Sequence, residues 1–158
     1  MSKLYKFVIL PWRGKLLYSN AAFWLLAVKA GLYLLPFERL RGWLVRLGEP
    51  VNRALDPASK FPDSEEIREI TEAVSRLGRF LAPLRISCLP QALVGDLLLR
   101  RKGFDVQLKI GVLKSFGDQL VAHAWLECQG RVILGDLHDL DQFISFSALA
   151  VSRRSVFC

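Results

Sequence analysis

Three side chains in this sequence can do covalent and proton-transfer chemistry, and they occur in a telling order: Cys88, His123, Asp136. A thiolate is a nucleophile, an imidazole moves protons near neutral pH, and a carboxylate can hold an imidazole in one tautomer. Cys88 opens the helical pattern Ser87-Cys88-Leu89-Pro90-Gln91. At a helix N-terminus the free backbone N–H groups and the dipole favour the thiolate. His123 sits in Val121-Ala122-His123-Ala124-Trp125, an alternating strand-like stretch. With Gln129-Gly130 as a two-residue hairpin loop, Cys128 faces Arg131. Counting outward from that pair sets His123 opposite Asp136, with Cβ atoms about 4.5–5.5 Å apart on one face. A slip of one residue would undo this and leave Asp139 and Asp141 as the candidate acids. Taken singly, each residue also has a structural reading: a buried thiol, a core histidine, a solvated acid at a strand end.

The elements that must position these residues are legible from periodicity. Leu17, Ala21, Trp24, Leu25, Val28, Leu32 and Leu35 recur at three- and four-residue spacing, which predicts a helix over Lys15–Leu35, ended by Pro36. Glu38–Leu47 reads as a basic amphipathic helix with Leu40, Trp43, Leu44 and Leu47 on one side, and Gly48 and Pro50 beyond it. The two make a helical hairpin. Residues 56–63 carry two prolines and read as a linker. Ser64 then caps a helix with Glu65 and Glu66 in its first turn and Ile67, Ile70, Val74 and Leu77 as its apolar stripe. A fourth helix starts at Ser87 or Cys88, with Gln91 placed as a capping-box partner, and stops at Gly103. The period then changes to two. Strands are predicted around Val106–Val112, Leu120–Cys128 and Arg131–Gly135, with a turn at 116–118. Helices followed by an antiparallel meander define an α+β fold. Two units are expected, a basic apolar helical hairpin over 1–60 and a catalytic domain over 61–158.

Composition narrows the function. The chain has 158 residues, 52% apolar and 23% charged, so it builds one real core and is not a solvated, disordered chain. Three cysteines and two histidines, at these spacings, make neither a disulfide scaffold nor a four-ligand metal site. No phosphate-cradling glycine loop is present, and no cofactor is expected. The net charge of +7 resides entirely in residues 1–60, which hold ten Lys/Arg against three Asp/Glu; residues 61–158 hold twelve of each. The basic third is also the most apolar third, which suits an acidic peptide partner or an anionic surface better than nucleic-acid readout. The apolar run Ala21–Phe37 is broken by Lys29 and Gly31 and falls short of a membrane span, so a membrane is not the expected partner. With unpaired thiols and no signal peptide evident, the expected compartment is the cytoplasm.

Taken together, these motifs are similar to those of a known family. Ser87-Cys88-Leu89-Pro90-Gln91-Ala92-Leu93, Leu97 to Gly103, Leu108-Lys109-Ile110-Gly111-Val112 and Ala122-His123-Ala124-Trp125-Leu126-Glu127 resemble the leader peptidase of lasso peptide biosynthesis, a member of the transglutaminase-like superfamily. Leu35-Pro36-Phe37-Glu38-Arg39-Leu40 resembles the family's helical N-terminal part. The resemblance implies a papain-like cysteine protease that removes the leader from a ribosomally made precursor peptide. Cys88 would be the nucleophile, His123 the general base and acid, Asp136 the orienting acid. Gln91 and Trp125 are candidate substrate contacts. The resemblance also implies a separate small leader-recognition protein, because residues 1–60 lack the strand alternation of a peptide-clasping sheet, and an ATP-dependent macrolactam cyclase acting downstream. Trp24, Trp43 and the Arg39, Arg41 and Arg46 face are expected to dock the recognition partner or its bound leader.

Three other functions fit parts of the pattern. One is a transglutaminase-like acyl transferase or amidase. Another is a catalytically silent peptide-binding module. The third is a protein held at a membrane surface by the Ala21–Phe37 helix.

Overall fold

The apolar spacings of the first half fold as helices, and the period-two stretches of the second half fold as one sheet. A computed structural model describes residues 12–49, 64–114 and 120–145. In chain order these form α1 (Trp12–Leu34), α2 (Phe37–Leu47), α3 (Glu65–Phe80), a short 3-10 turn (Ala82–Leu84), α4 (Cys88–Arg101), β1 (Val106–Lys114), β2 (Leu120–Cys128), β3 (Arg131–Leu134), a second 3-10 turn (Leu140–Gln142) and β4 (Ile144–Ser145). The predicted linker over 56–63, the turn at 116–118 and the expected domain boundary at 60/61 lie outside the described residues.

Local signals start and stop the helices where physical chemistry requires. Ser64 Oγ accepts a hydrogen bond from the Ile67 N–H at 3.4 Å, satisfying one orphan donor of α3, and Glu65 and Glu66 follow in the first turn. Pro36 separates α1 from α2. Gln91 departs from the capping-box expectation. Ser87 makes no side-chain cap bond, and Gln91 Nε2 instead donates to the Ile86 carbonyl at 3.3 Å.

The sheet is antiparallel in the order β3-β2-β1-β4. Val106, Leu108 and Ile110 pair with Cys128, Leu126 and Ala124, so these six side chains share one face. α4 packs on that face. A Cβ on Gly95 would stand 2.8 Å from both Leu126 Cδ1 and Leu134 Cδ2, so the missing side chain lets helix and sheet approach closely. Ala21, Leu25 and Val28 of α1, Leu40 and Leu44 of α2, and Ile67, Ile70 and Val74 of α3 enter the same core. β4 was not foreseen. Two residues carry no periodicity, and only their pairing with Gly111 and Val112 makes them a strand.

Candidate active site

Each proposed site residue is set by its own element. Cys88 is the first residue of α4, half-buried against the core. With Ser87 making no side-chain cap, the first-turn backbone donors of α4 are not consumed by it. Pro90 lies two residues on, where an N–H would have no helical partner.

Where Cys88 stands along the sheet follows from two contacts of α4. Near its C-terminal end, Arg100 Nη2 donates to the Val106 carbonyl at 2.6 Å, and Val106 pairs with Cys128. Gly95 lies over Leu126. Moving toward the N-terminus of α4 therefore moves from Cys128 toward His123 along β2. Cys88 is seven residues beyond Gly95, about 10 Å at 1.5 Å per residue, and three β2 residues cover the same ~10 Å. The first turn of α4 thus lies toward the His123 end of β2.

The imidazole of His123 occupies the other face of the sheet. It lies beside Trp125, ring centroids 6.2 Å apart and nearly parallel, and is covered by Phe143 at 5.7 Å. Trp125 is buried, and its indole N–H donates to Glu127 Oε1 at 2.8 Å. Lys109 reaches Glu127 from β1 at 3.9 Å. Trp125 therefore packs against the histidine. Gln91 is likewise committed: its amide bonds the Ile86 carbonyl and lies against Gly78 of α3.

The register expected for Asp136 is corrected. The hairpin forms as anticipated, with Gln129 and Gly130 both at positive φ and Cys128 paired with Arg131. A β-bulge then intervenes, so that Leu126 pairs with Leu134 and no longer with the residue before it. One extra residue in β3 shifts every later position by one. β3 ends at Leu134, Gly135 takes φ +81°, and Asp136 lies exposed beyond it. His123 Nε2–H donates instead to the Gly135 carbonyl at 2.7 Å. This partner was invisible in the sequence, because a backbone carbonyl has no side-chain signature. It sets the neutral tautomer: with Nε2 protonated, Nδ1 is left as the basic nitrogen. Among the described residues, Cys88 Sγ and the imidazole make no hydrogen bond to each other, and the Asp136 carboxylate makes none to the ring. Asp139 and Asp141 flank the second 3-10 turn, and His138 is exposed in the segment before it.

The residues expected to dock a partner divide. Arg39, Arg41 and Arg46 are exposed on α2, as is Trp43. Trp24 is part-buried against the core, with the Arg101 guanidinium 5.0 Å over its ring.

The fold is therefore mixed, helices packed on an antiparallel sheet, with a thiol at a helix start and a histidine on a strand. The comparison with known families agrees: the model described as Transglutaminase-like superfamily matches residues 31–147, and the chain belongs to that superfamily. The match begins within α1 and includes all of α2, α3 and α4 and the whole sheet. No curated protein and no solved structure matches the chain. No helix among the described residues is long and apolar enough to cross a membrane.

Proposed function

We propose that this chain is a cysteine peptidase that cleaves the leader from a lasso precursor peptide, working with a separate leader-recognition protein. The observation that supports the reading is the superfamily match over residues 31–147, which takes in both Cys88 at the start of α4 and His123 on β2, whose Nε2–H is held by the Gly135 carbonyl. The sequence motifs around both residues supply the leader-peptidase specificity of the reading.

In this mechanism the His123 Nδ1 accepts the proton of the Cys88 thiol, and the thiolate attacks the scissile carbonyl. The Cys88 backbone N–H, at the open end of α4, donates to the developing oxyanion. The imidazolium returns its proton to the leaving amine, and water hydrolyses the thioester. The step requires a rearrangement that brings the thiol and the imidazole to the same side of the sheet and within hydrogen-bond distance. Asp136, one residue past the carbonyl that orients the ring, contributes charge toward the imidazolium. In this reading the enzyme is cytoplasmic and its product passes to the macrolactam cyclase.

The test is cleavage of the precursor encoded beside this gene, followed by mass spectrometry with the neighbouring recognition protein present. Cleavage at one leader–core junction, abolished by Cys88→Ala and by His123→Ala, is expected. Cleavage that survives Cys88→Ala refutes the nucleophile. Transfer of the acyl group to an added amine, with no hydrolysed product, makes the enzyme an acyl transferase instead. Tight binding of an intact precursor makes it a binding module.

A further inference from the structure

α1 is apolar on two opposite sides. Its inner side, Ala21, Leu25 and Val28, is buried in the core. Its outer side carries Trp12, Leu16, Phe23, Leu26, Tyr33 and Leu34, all exposed. They recur at helical spacing around the face opposite Ala21 and Leu25. Trp12, Phe23 and Tyr33 are 76%, 63% and 76% exposed. At about 200 Å² per aromatic side chain, these three alone show ~400 Å² of largely apolar surface, as much as the largest patch on a typical monomer.

The charges of α1 identify what fits this face. Arg13, Lys15 and Lys29 are its only charged residues, and all are cationic; Lys29 Nζ also donates to the Arg85 carbonyl at 2.8 Å. A second copy packed along α1 would set like charges against one another. A spanning role is excluded by the inner face, which is held in the core. What remains is an extended, anionic, apolar partner without a fixed register. An aromatic stands at each end of the stripe: Trp12 at one and Tyr33, with the Lys29 ammonium 4.9 Å over its ring, at the other. Aromatics of this kind sit at the boundary of headgroups and acyl chains. The excess charge of the whole chain lies in the same third of the sequence, where each basic residue near an anionic surface adds attraction.

We infer that the outer face of α1 lies flat on an anionic bilayer surface, holding the protein to the membrane without crossing it.

Co-sedimentation of the full chain with vesicles tests this. Phosphatidylcholine mixed with phosphatidylglycerol is compared with pure phosphatidylcholine. The chain is expected to sediment with the mixed vesicles, to bind pure phosphatidylcholine much more weakly, and to be released by added salt. Phe23→Ser with Leu26→Ser should lower the partition coefficient at least tenfold, because each exposed apolar side chain removed costs about that factor. Both side chains project outward, and a circular dichroism spectrum confirms that the variant is folded. Lys15→Gln provides a second variant, expected to weaken binding to the anionic vesicles alone. Absence of binding to mixed vesicles overturns the inference, as does binding unchanged by the Phe23 and Leu26 substitutions. A concentration-dependent dimer abolished by those substitutions also overturns it, because a second copy would then cover the face. Selective binding of the recognition protein through this face, with no vesicle binding, does so in favour of a protein partner.

Discussion

Gly135 stands at the joint between the sheet and the candidate site, and replacing it with alanine separates two physical effects. Its φ of +81° is in the left-handed region, which costs a non-glycine residue about 1–2 kcal/mol. An alanine Cβ would also stand 2.9 Å from the Ala124 carbonyl oxygen and 3.1 Å from Trp125 Cα. These neighbours are backbone atoms of a central strand and cannot swing aside, so relief requires moving β2 or the 135 peptide, at a further ~1–3 kcal/mol. Gly130 is the internal control. Its φ is +79°, but nothing lies within 4 Å of an added Cβ. Gly130→Ala should therefore cost about 1 kcal/mol and Gly135→Ala about 2–5 kcal/mol in urea unfolding. The difference measures the crowding alone. Displacing the 135 peptide also shifts the carbonyl that holds His123 Nε2, so cleavage should fall in Gly135→Ala and not in Gly130→Ala. Equal stability losses in the two variants would refute the close approach. A folded Gly135→Ala with full activity would refute the carbonyl's role in orienting the ring.

Other expectations follow from named contacts. With the ring held by a carbonyl and the Asp136 side chain exposed, Asp136→Asn should reduce kcat by less than about 10²-fold, and a loss near 10⁴-fold would show that the carboxylate sets the tautomer. Burial pushes the Asp96 carboxyl up, against the pull of Arg100, which bonds it at 2.8 Å. A raised carboxyl pKa contributes stability that is present in acid and lost as pH rises from the ordinary aspartate value through the folded one. Arg100→Met removes the opposing pull, so its destabilisation, on the order of 2 kcal/mol at pH 7, should shrink toward pH 4. A pH-independent loss in paired urea titrations would contradict this. Burial also raises the Cys128 thiol, so iodoacetamide should alkylate half-buried Cys88 well before Cys128, as read by peptide mass spectrometry in a Cys158→Ser background; the reverse order would refute the assignment of the accessible thiol.

The sequence alone determined the features that depend on short-range chemistry. Ser64 with its acidic first turn, Pro36 between two apolar periodicities, and the positive-φ pair Gln129-Gly130 all act on neighbours within a turn, so residue identity was enough to place them. Cys88 at a helix start and His123 on a strand were legible for the same reason. What lay beyond reach depends on contacts distant in the chain. The bulge in β3 follows from packing Leu134 against Gly95 and Leu126 while Cys128 stays paired with Arg131, and alternation in a short strand does not reveal an inserted residue. That one residue moved Asp136 off His123 and gave the imidazole a backbone carbonyl. The burial of Trp125 depends on Phe143 from the following segment. The fate of α1's two apolar sides was equally a tertiary matter. Periodicity marked an apolar helix, but only packing decided which side the core would cover and which would stay outside.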